Sequence, residues 1–109
     1  MTEEMAPRRT SLIMTLLFIL ALALAACGGT PRGSADDGKR WYSLYRCNGC
    51  HGEGGSGGKG PVIAGTGLSF RRFLGKLRAP NSAIMPTFAR EQLPDQDAAD
   101  IYLWLQTKR

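Results

Sequence analysis

The pentapeptide Cys47-Asn48-Gly49-Cys50-His51 constrains this chain more than any other feature. Two thiols three positions apart, followed at once by a histidine, have the residue types and the spacing of a c-type haem attachment motif. Each thiol can form a thioether with one vinyl group of the haem, and the histidine then lies under the iron as proximal ligand. The motif therefore predicts a domain built around one covalently attached haem.

Two other uses of a Cys-x-x-Cys sequence remain open. A structural zinc site needs four ligands, but the chain has three Cys and one His in total, so zinc would require Cys27 to fold back. A thioredoxin-like redox pair lies beside a βαβ pattern. Here β-branched residues are sparse, and Val62-Ile63 is the only adjacent pair. Haem attachment is the better interpretation of the motif.

The N-terminal segment has the order of an export signal. Arg8 and Arg9 precede an uncharged apolar run over residues 12–26, which is shorter than the roughly 20 residues of a membrane-spanning helix. That length is typical of a signal peptide. The run ends in LAAC at residues 24–27, which resembles the lipobox of bacterial lipoproteins. We therefore expect a signal peptide over residues 1–26 and a lipid on Cys27. The alternative is a plain export signal with an incidental cysteine.

The rest of the chain is long enough for one domain. Residues 27–37 are rich in Gly, Pro, Ser and Asp, a composition that predicts a flexible tether with an average span of roughly 17 Å. Residues 38–109 are expected to form the domain. Because so short a chain buries only a modest core, an attached haem would supply a large apolar centre.

Apolar residues at helical spacing predict helices over residues 37–46, 68–77 and 95–107. In the last of these, acidic residues near the start and basic residues at the end complement the helix dipole. The segment over residues 52–60 contains mostly glycine and should lack regular structure. Glycine there would let the backbone pass close to a bulky ligand such as a haem edge.

Met85 is the candidate for the second axial ligand. His51 is the only histidine, so bis-histidine ligation within one chain is excluded, and the other three methionines lie in the predicted signal peptide. Pro86 steers the preceding residue toward extended backbone, which favours a loop position from which Met85 can reach across a haem face. The alternative is a methionine that fills a gap in the core.

Taken together, these residues resemble the small bacterial class I cytochromes c. The similarity covers about residues 36–107. It is carried by the haem motif with Gly52, by Gly60-Pro61, by IMP at residues 84–86 and by IYLWL at residues 101–105.

The resemblance implies an all-α fold of three to four short helices around one covalent haem c. It also implies that the carbonyl of Pro61 accepts a hydrogen bond from His51, and that Met85 is the distal ligand. The first and last helices would cross near Gly38, Tyr42 and either Tyr102 or Trp104. Gly38 and Tyr42 lie about one residue farther from Cys47 than is usual in that family.

Met and His ligation would leave the iron no open position, so the expected function is one-electron transfer and not enzymatic catalysis. Thioether ligation favours Fe(II) and raises the potential. A haem enzyme resembling a peroxidase is one alternative, although it would need Met85 to dissociate and a distal acid-base group. A haem sensor with a labile sixth ligand is the other.

The net charge of the chain indicates what kind of partner it would bind. Lys and Arg number 14 against 9 Asp and Glu, and residues 1–26 contain two of each class, so the remainder keeps a net charge of +5. Four basic residues precede Met85, namely Arg71, Arg72, Lys76 and Arg78. They form either a solvated helix face or a docking patch for an acidic redox partner. Nucleic acid is a poor alternative for an exported protein.

We expect an exported, lipid-anchored carrier that faces the periplasm or the cell exterior and serves a membrane redox complex, or is its cytochrome subunit.

Overall fold

The computed structural model of the chain describes residues 5–26 and 32–108. These residues contain five α-helices and no β-strand, which confirms the predicted all-α fold. The helices are α1 Met5–Ala26, α2 Ala35–Leu44, α3 Asn48–His51, α4 Phe70–Arg78 and α5 Asp95–Gln106.

Helix α1 contains the apolar run of the predicted signal peptide, whose residues 1–4 lie outside the described residues. Among residues 5–26 and 32–108, no helix has the length and apolarity needed to cross a membrane. Cys27 lies outside the described residues, as does the rest of the predicted tether up to residue 31. The signal peptide and the lipid on Cys27 therefore stay predictions.

Helix α2 begins earlier than predicted. The Ser34 hydroxyl accepts a hydrogen bond from the Asp37 amide at 3.2 Å, and Asp36 and Asp37 occupy the positive end of the helix dipole. These local features are those of a helix N-terminus. Residues 35–37 therefore belong to the folded domain, contrary to their assignment to a flexible tether over residues 27–37.

The segment before α2 is attached to α5 through a buried carboxylate. Asp100 is 5 % exposed and accepts hydrogen bonds from the Ser34 amide at 2.8 Å and from the Trp41 indole at 3.1 Å. The amide of Gln96 donates to the same carboxylate at 3.0 Å. These three donors satisfy a charge that would otherwise be costly to bury. We call this group of contacts the N-terminal latch.

Helices α2 and α5 cross at Gly38. A Cβ atom on Gly38 would lie 2.0 Å from the carbonyl oxygen of Asp100 and 2.9 Å from the Cβ of Trp104, so only glycine permits this approach. One turn further along, the buried Tyr42 ring lies 4.8 Å from the Trp104 ring, centroid to centroid. The expected crossing is confirmed, and its aromatic partner on α5 is Trp104.

Tyr102 instead contacts α4. Its ring centroid lies 5.6 Å from that of Phe70 and 5.3 Å from that of Phe73, and its hydroxyl donates to the carbonyl of Leu68 at 2.7 Å. Helix α5 thus packs against α2 on one side and α4 on another. The buried cluster between them, called here the core cluster, consists of Tyr42, Phe73, Leu77, Leu93, Ala98, Ile101, Trp104 and Leu105.

Candidate haem site

The two cysteines of the motif lie on one turn of helix. Arg46 adopts a left-handed conformation with φ 61°, which ends the turn after α2, and Cys47 then caps the short helix α3. The amide of His51 donates to the carbonyl of Cys47 at 2.9 Å, the usual spacing of an α-helix. Cys47 is half-buried, Cys50 is exposed, and both thiols are free.

The environment of Cys47 disfavours a thiol redox pair. Burial raises the pKa of the Cys47 thiol to about 11 and so favours the neutral thiol. Redox-active cysteines depend on the opposite shift, because the thiolate is the nucleophile. Within residues 5–26 and 32–108, no three His, Cys, Asp or Glu side chains are grouped to hold a metal ion. The described part of the chain therefore gives no support to the zinc interpretation.

The orientation of His51 is fixed by Pro61. Its Nδ1 lies 2.7 Å from the carbonyl oxygen of Pro61, the contact expected from the resemblance. Because a carbonyl can only accept, Nδ1 carries the proton and the lone pair is left on Nε2. A carbonyl that accepts a hydrogen bond from the other ring nitrogen sets the tautomer of a metal-binding histidine and raises its basicity. His51 is thus prepared to bind a metal through Nε2.

The glycine-rich loop over residues 52–60 folds back onto α3. The Gly60 amide donates to the carbonyl of Cys50 at 2.6 Å, and a Cβ on Gly58 would lie 2.2 Å from the same oxygen. The expected absence of regular structure is confirmed. A close approach that requires glycine is present between the loop and the backbone of α3. The approach of the loop to a haem edge stays a prediction.

Tyr42 supports the same region and was not predicted to do so. Its hydroxyl donates to the carbonyl of Gly52 at 2.7 Å, directly after His51. Burial raises the pKa of Tyr42 to about 12, so the hydroxyl stays protonated as a donor. Its position at the helix crossing was foreseeable, but nothing in the sequence indicates that its hydroxyl reaches the residue after the haem motif.

Met85 lies on the loop between α4 and α5, as predicted. Its half-buried side chain packs against the core cluster, and its amide donates to the Ser82 hydroxyl at 3.1 Å. We define the ligand loop as residues 79–87. The role of Met85 as iron ligand stays a prediction.

The ends of the ligand loop are joined by Arg78. The Phe88 amide donates to the carbonyl of Leu77 at 2.9 Å, and Nη1 of Arg78 donates to the carbonyl of Phe88 at 2.9 Å. Nη2 of Arg78 donates to Asp95 at 2.6 Å. Only 22 % of the Arg78 side chain is exposed, so this residue has a structural contact where the sequence suggested a docking role.

The other basic residues of α4 are exposed. Arg71, Arg72 and Lys76 face solvent, and we call them the basic patch. Arg72 and Lys76 also line an open surface groove of about 380 Å³, together with Leu68, Gly75 and Ala79. A docking role for the basic patch stays a prediction.

The donor chemistry of these residues fits a c-type haem. Two free thiols on one helical turn would hold the two vinyl-derived carbons through Cys47 and Cys50. The Nε2 lone pair of His51 and the thioether of Met85 would hold the iron. Neither zinc nor a thiol redox pair accounts for all four residues together.

Comparison with known families agrees with this chemistry. A family model described as cytochrome c oxidase, cbb3-type, subunit III matches residues 33–105, more than half of the chain. No curated protein and no solved structure matches. The matched segment begins just before α2 and ends within α5, so it contains the whole candidate site. The chain therefore belongs to the family of cbb3-type cytochrome c oxidase subunit III, with a cytochrome c domain that binds its haem covalently and transfers electrons.

Proposed function

We propose that this protein is a one-electron carrier in which His51 and Met85 are the axial ligands of a single haem c. The observation that carries the proposal is the 2.7 Å contact between Nδ1 of His51 and the carbonyl oxygen of Pro61. His51 directly follows Cys50, the second of the two free thiols. It supports a histidine prepared for iron by its tautomer and by its orientation.

When bound, the haem supplies a reversible one-electron change between Fe(III) and Fe(II). The residues around it determine how easily that change occurs. The carbonyl of Pro61 accepts a hydrogen bond from the imidazole, and the hydroxyl of Tyr42 and the amide of Gly60 fix the backbone on either side of His51. Such fixed donors need little rearrangement during electron transfer. A thioether from Met85 would raise the potential by favouring Fe(II).

The proposed partner is an acidic surface on a membrane redox complex. The basic patch of Arg71, Arg72 and Lys76 is exposed on α4, the helix that leads into the ligand loop. Complementary charge would speed the encounter more than it would strengthen the complex, and added salt would slow it. The family description, a subunit of an oxidase, supports a partner of this kind.

We further propose that the domain works outside the cytoplasm, held at the membrane by a lipid on Cys27. The apolar run over residues 12–26 and the LAAC sequence at residues 24–27 support this location. The protein would act either as a local shuttle or as the cytochrome subunit of the complex itself. Both roles use the same haem chemistry and the same anchor.

Two measurements on the purified holoprotein test the carrier function. A redox titration should follow a one-electron curve, and the oxidised protein should show the weak long-wavelength absorption band that marks Met–Fe ligation in class I cytochromes c. Membranes that contain the partner should oxidise or reduce it more slowly as salt is raised. A high-spin oxidised spectrum with ready cyanide binding would instead favour a haem enzyme or a haem sensor.

A further inference from the structure

The ligand loop is attached to the rest of the domain mainly at its two ends. Among the described residues, the hydrogen bonds of Ile84 and Met85 remain inside the loop, because both amides donate to the Ser82 hydroxyl at 3.1 Å. Residues 81–84 are exposed. Apart from the packing of Met85 on the core cluster, the position of the loop therefore depends on how its ends are fixed.

Arg78 fixes both ends at once. It is the last residue of α4, its guanidinium reaches the carbonyl of Phe88 just beyond the loop, and it also pairs with Asp95 at the start of α5. Two contacts in different directions suit the planar, forked guanidinium, whereas the ammonium of lysine is a single point charge. Charge-assisted hydrogen bonds of this kind are among the stronger ones in proteins.

Phe88 is in turn held by packing. Its ring meets that of Tyr45 edge-on at 6.3 Å between centroids, and the Tyr45 hydroxyl donates to Asp97 at 2.8 Å. The end of the ligand loop is thus fixed to a body formed by α2, α4 and α5. Arg78, together with the backbone hydrogen bond from Phe88 to Leu77, joins this body to both sides of the loop.

From these contacts we propose that Arg78 is a positioning residue for Met85, keeping the ligand loop closed and so setting how readily the Met85 sulfur leaves the iron. The inference rests on the proposed role of Met85 as distal ligand. An external ligand binds the iron only in molecules whose ligand loop is open. Its apparent affinity is therefore its intrinsic affinity multiplied by the fraction of molecules with an open loop. Loss of the Arg78 contacts raises that fraction.

The test is a titration of the oxidised holoprotein with imidazole, followed by the long-wavelength band. We expect Arg78→Ala to bind imidazole more tightly than the wild type, on the order of tenfold, which corresponds to about 1.4 kcal/mol. Arg78→Lys should fall between the two proteins because one of the two contacts can be kept. A substitution of Arg78 is easier to interpret than one of Asp95, because Asp95 also lies 3.6 Å from Arg90.

Two control variants separate positioning from general effects. Lys39→Ala removes an exposed positive charge from α2 and should bind imidazole as the wild type does. Ile101→Val weakens the core cluster without removing any hydrogen bond at the ends of the ligand loop, so it should lower the denaturation midpoint and change the imidazole affinity less than Arg78→Ala does.

The outcomes distinguish the two hypotheses. If the wild type lacks the long-wavelength band, Met85 is not the ligand and the inference falls with that assignment. If the band is present but Arg78→Ala binds imidazole like the wild type, or only as tightly as Ile101→Val does, the positioning role is overturned while the carrier function stands.

Discussion

Met85 is the residue on which the redox properties of this protein should depend most. We expect Met85→Ala to open a coordination position, because alanine offers no sulfur. The variant should lower the reduction potential, lose the long-wavelength band and bind carbon monoxide in the reduced state. Spectroscopy and a redox titration check these changes. An unchanged spectrum and potential would mean that another group ligates the iron, with Met85 filling a gap beside the core cluster.

Cys47 and Cys50 should be responsible for the permanence of haem binding. Thioether bonds survive denaturation, whereas coordinate bonds to the iron do not. Each single Cys→Ser variant should give weaker haem staining on a denaturing gel, and the double variant should give none. Cys27→Ser is the matched control, because it removes a cysteine outside the motif and should keep full staining. Full staining of the double variant would refute covalent attachment.

The roles of the site residues could be predicted best where they depend on neighbours in the sequence. Cys47, Cys50 and His51 are adjacent in sequence, and Pro86 restricts the residue directly before it. The pairing of Arg78 with Asp95 could not be predicted, because the two residues are 17 positions apart and each is unremarkable in its own segment. The carboxylate of Asp100 meets Ser34 across a separation of 66 residues, which no local pattern reveals.

At the scale of helices, apolar spacing predicted the type and approximate position of α2, α4 and α5. Their ends were less predictable because capping decides them. Ser34 and Ser69 each accept a hydrogen bond from an amide in the first turn, so α2 begins two residues before the predicted start and α4 two residues after it. α3 has only four residues, too few for any apolar periodicity to predict it.

The crossing of α2 and α5 gives a prediction about stability. Gly38→Ala would place a methyl group 2.0 Å from a backbone carbonyl of α5, so the helices must separate. We expect a loss of about 1–3 kcal/mol or more in the free energy of unfolding, measured by denaturant titration of the holoprotein. Gly75→Ala is the control. It lies within α4 with nothing near its Cβ position and should be neutral or stabilising by up to about 1 kcal/mol. Equal stability of the two variants would contradict the close crossing.

For the whole molecule, the prediction concerns the lipid. Buried acyl chains contribute about 0.8 kcal/mol per CH₂, and stable anchoring needs two such signals, which lipoprotein processing supplies. Wild-type protein should therefore sediment with membranes and take up labelled lipid. Cys27→Ser should lose the label and, where another peptidase cleaves the signal, release a haem protein that still changes redox state but serves its membrane partner more slowly. A soluble, unlabelled wild type would contradict the anchor.

The N-terminal latch limits how such an anchored domain can turn. Asp100 holds Ser34 against α5, and a Cβ on Gly33 would already lie 2.8 Å from the carbonyl of Ala99. Whatever its conformation, the chain from Cys27 to Arg32 can reach at most about 18 Å, while a compact domain of this size is roughly 30 Å across. If the domain is anchored at Cys27, the side opposite the latch therefore cannot lie flat against the bilayer. An anchored domain would then meet its partner from a limited set of directions, so loss of the Asp100 contacts would change encounter rates even if the potential stayed the same.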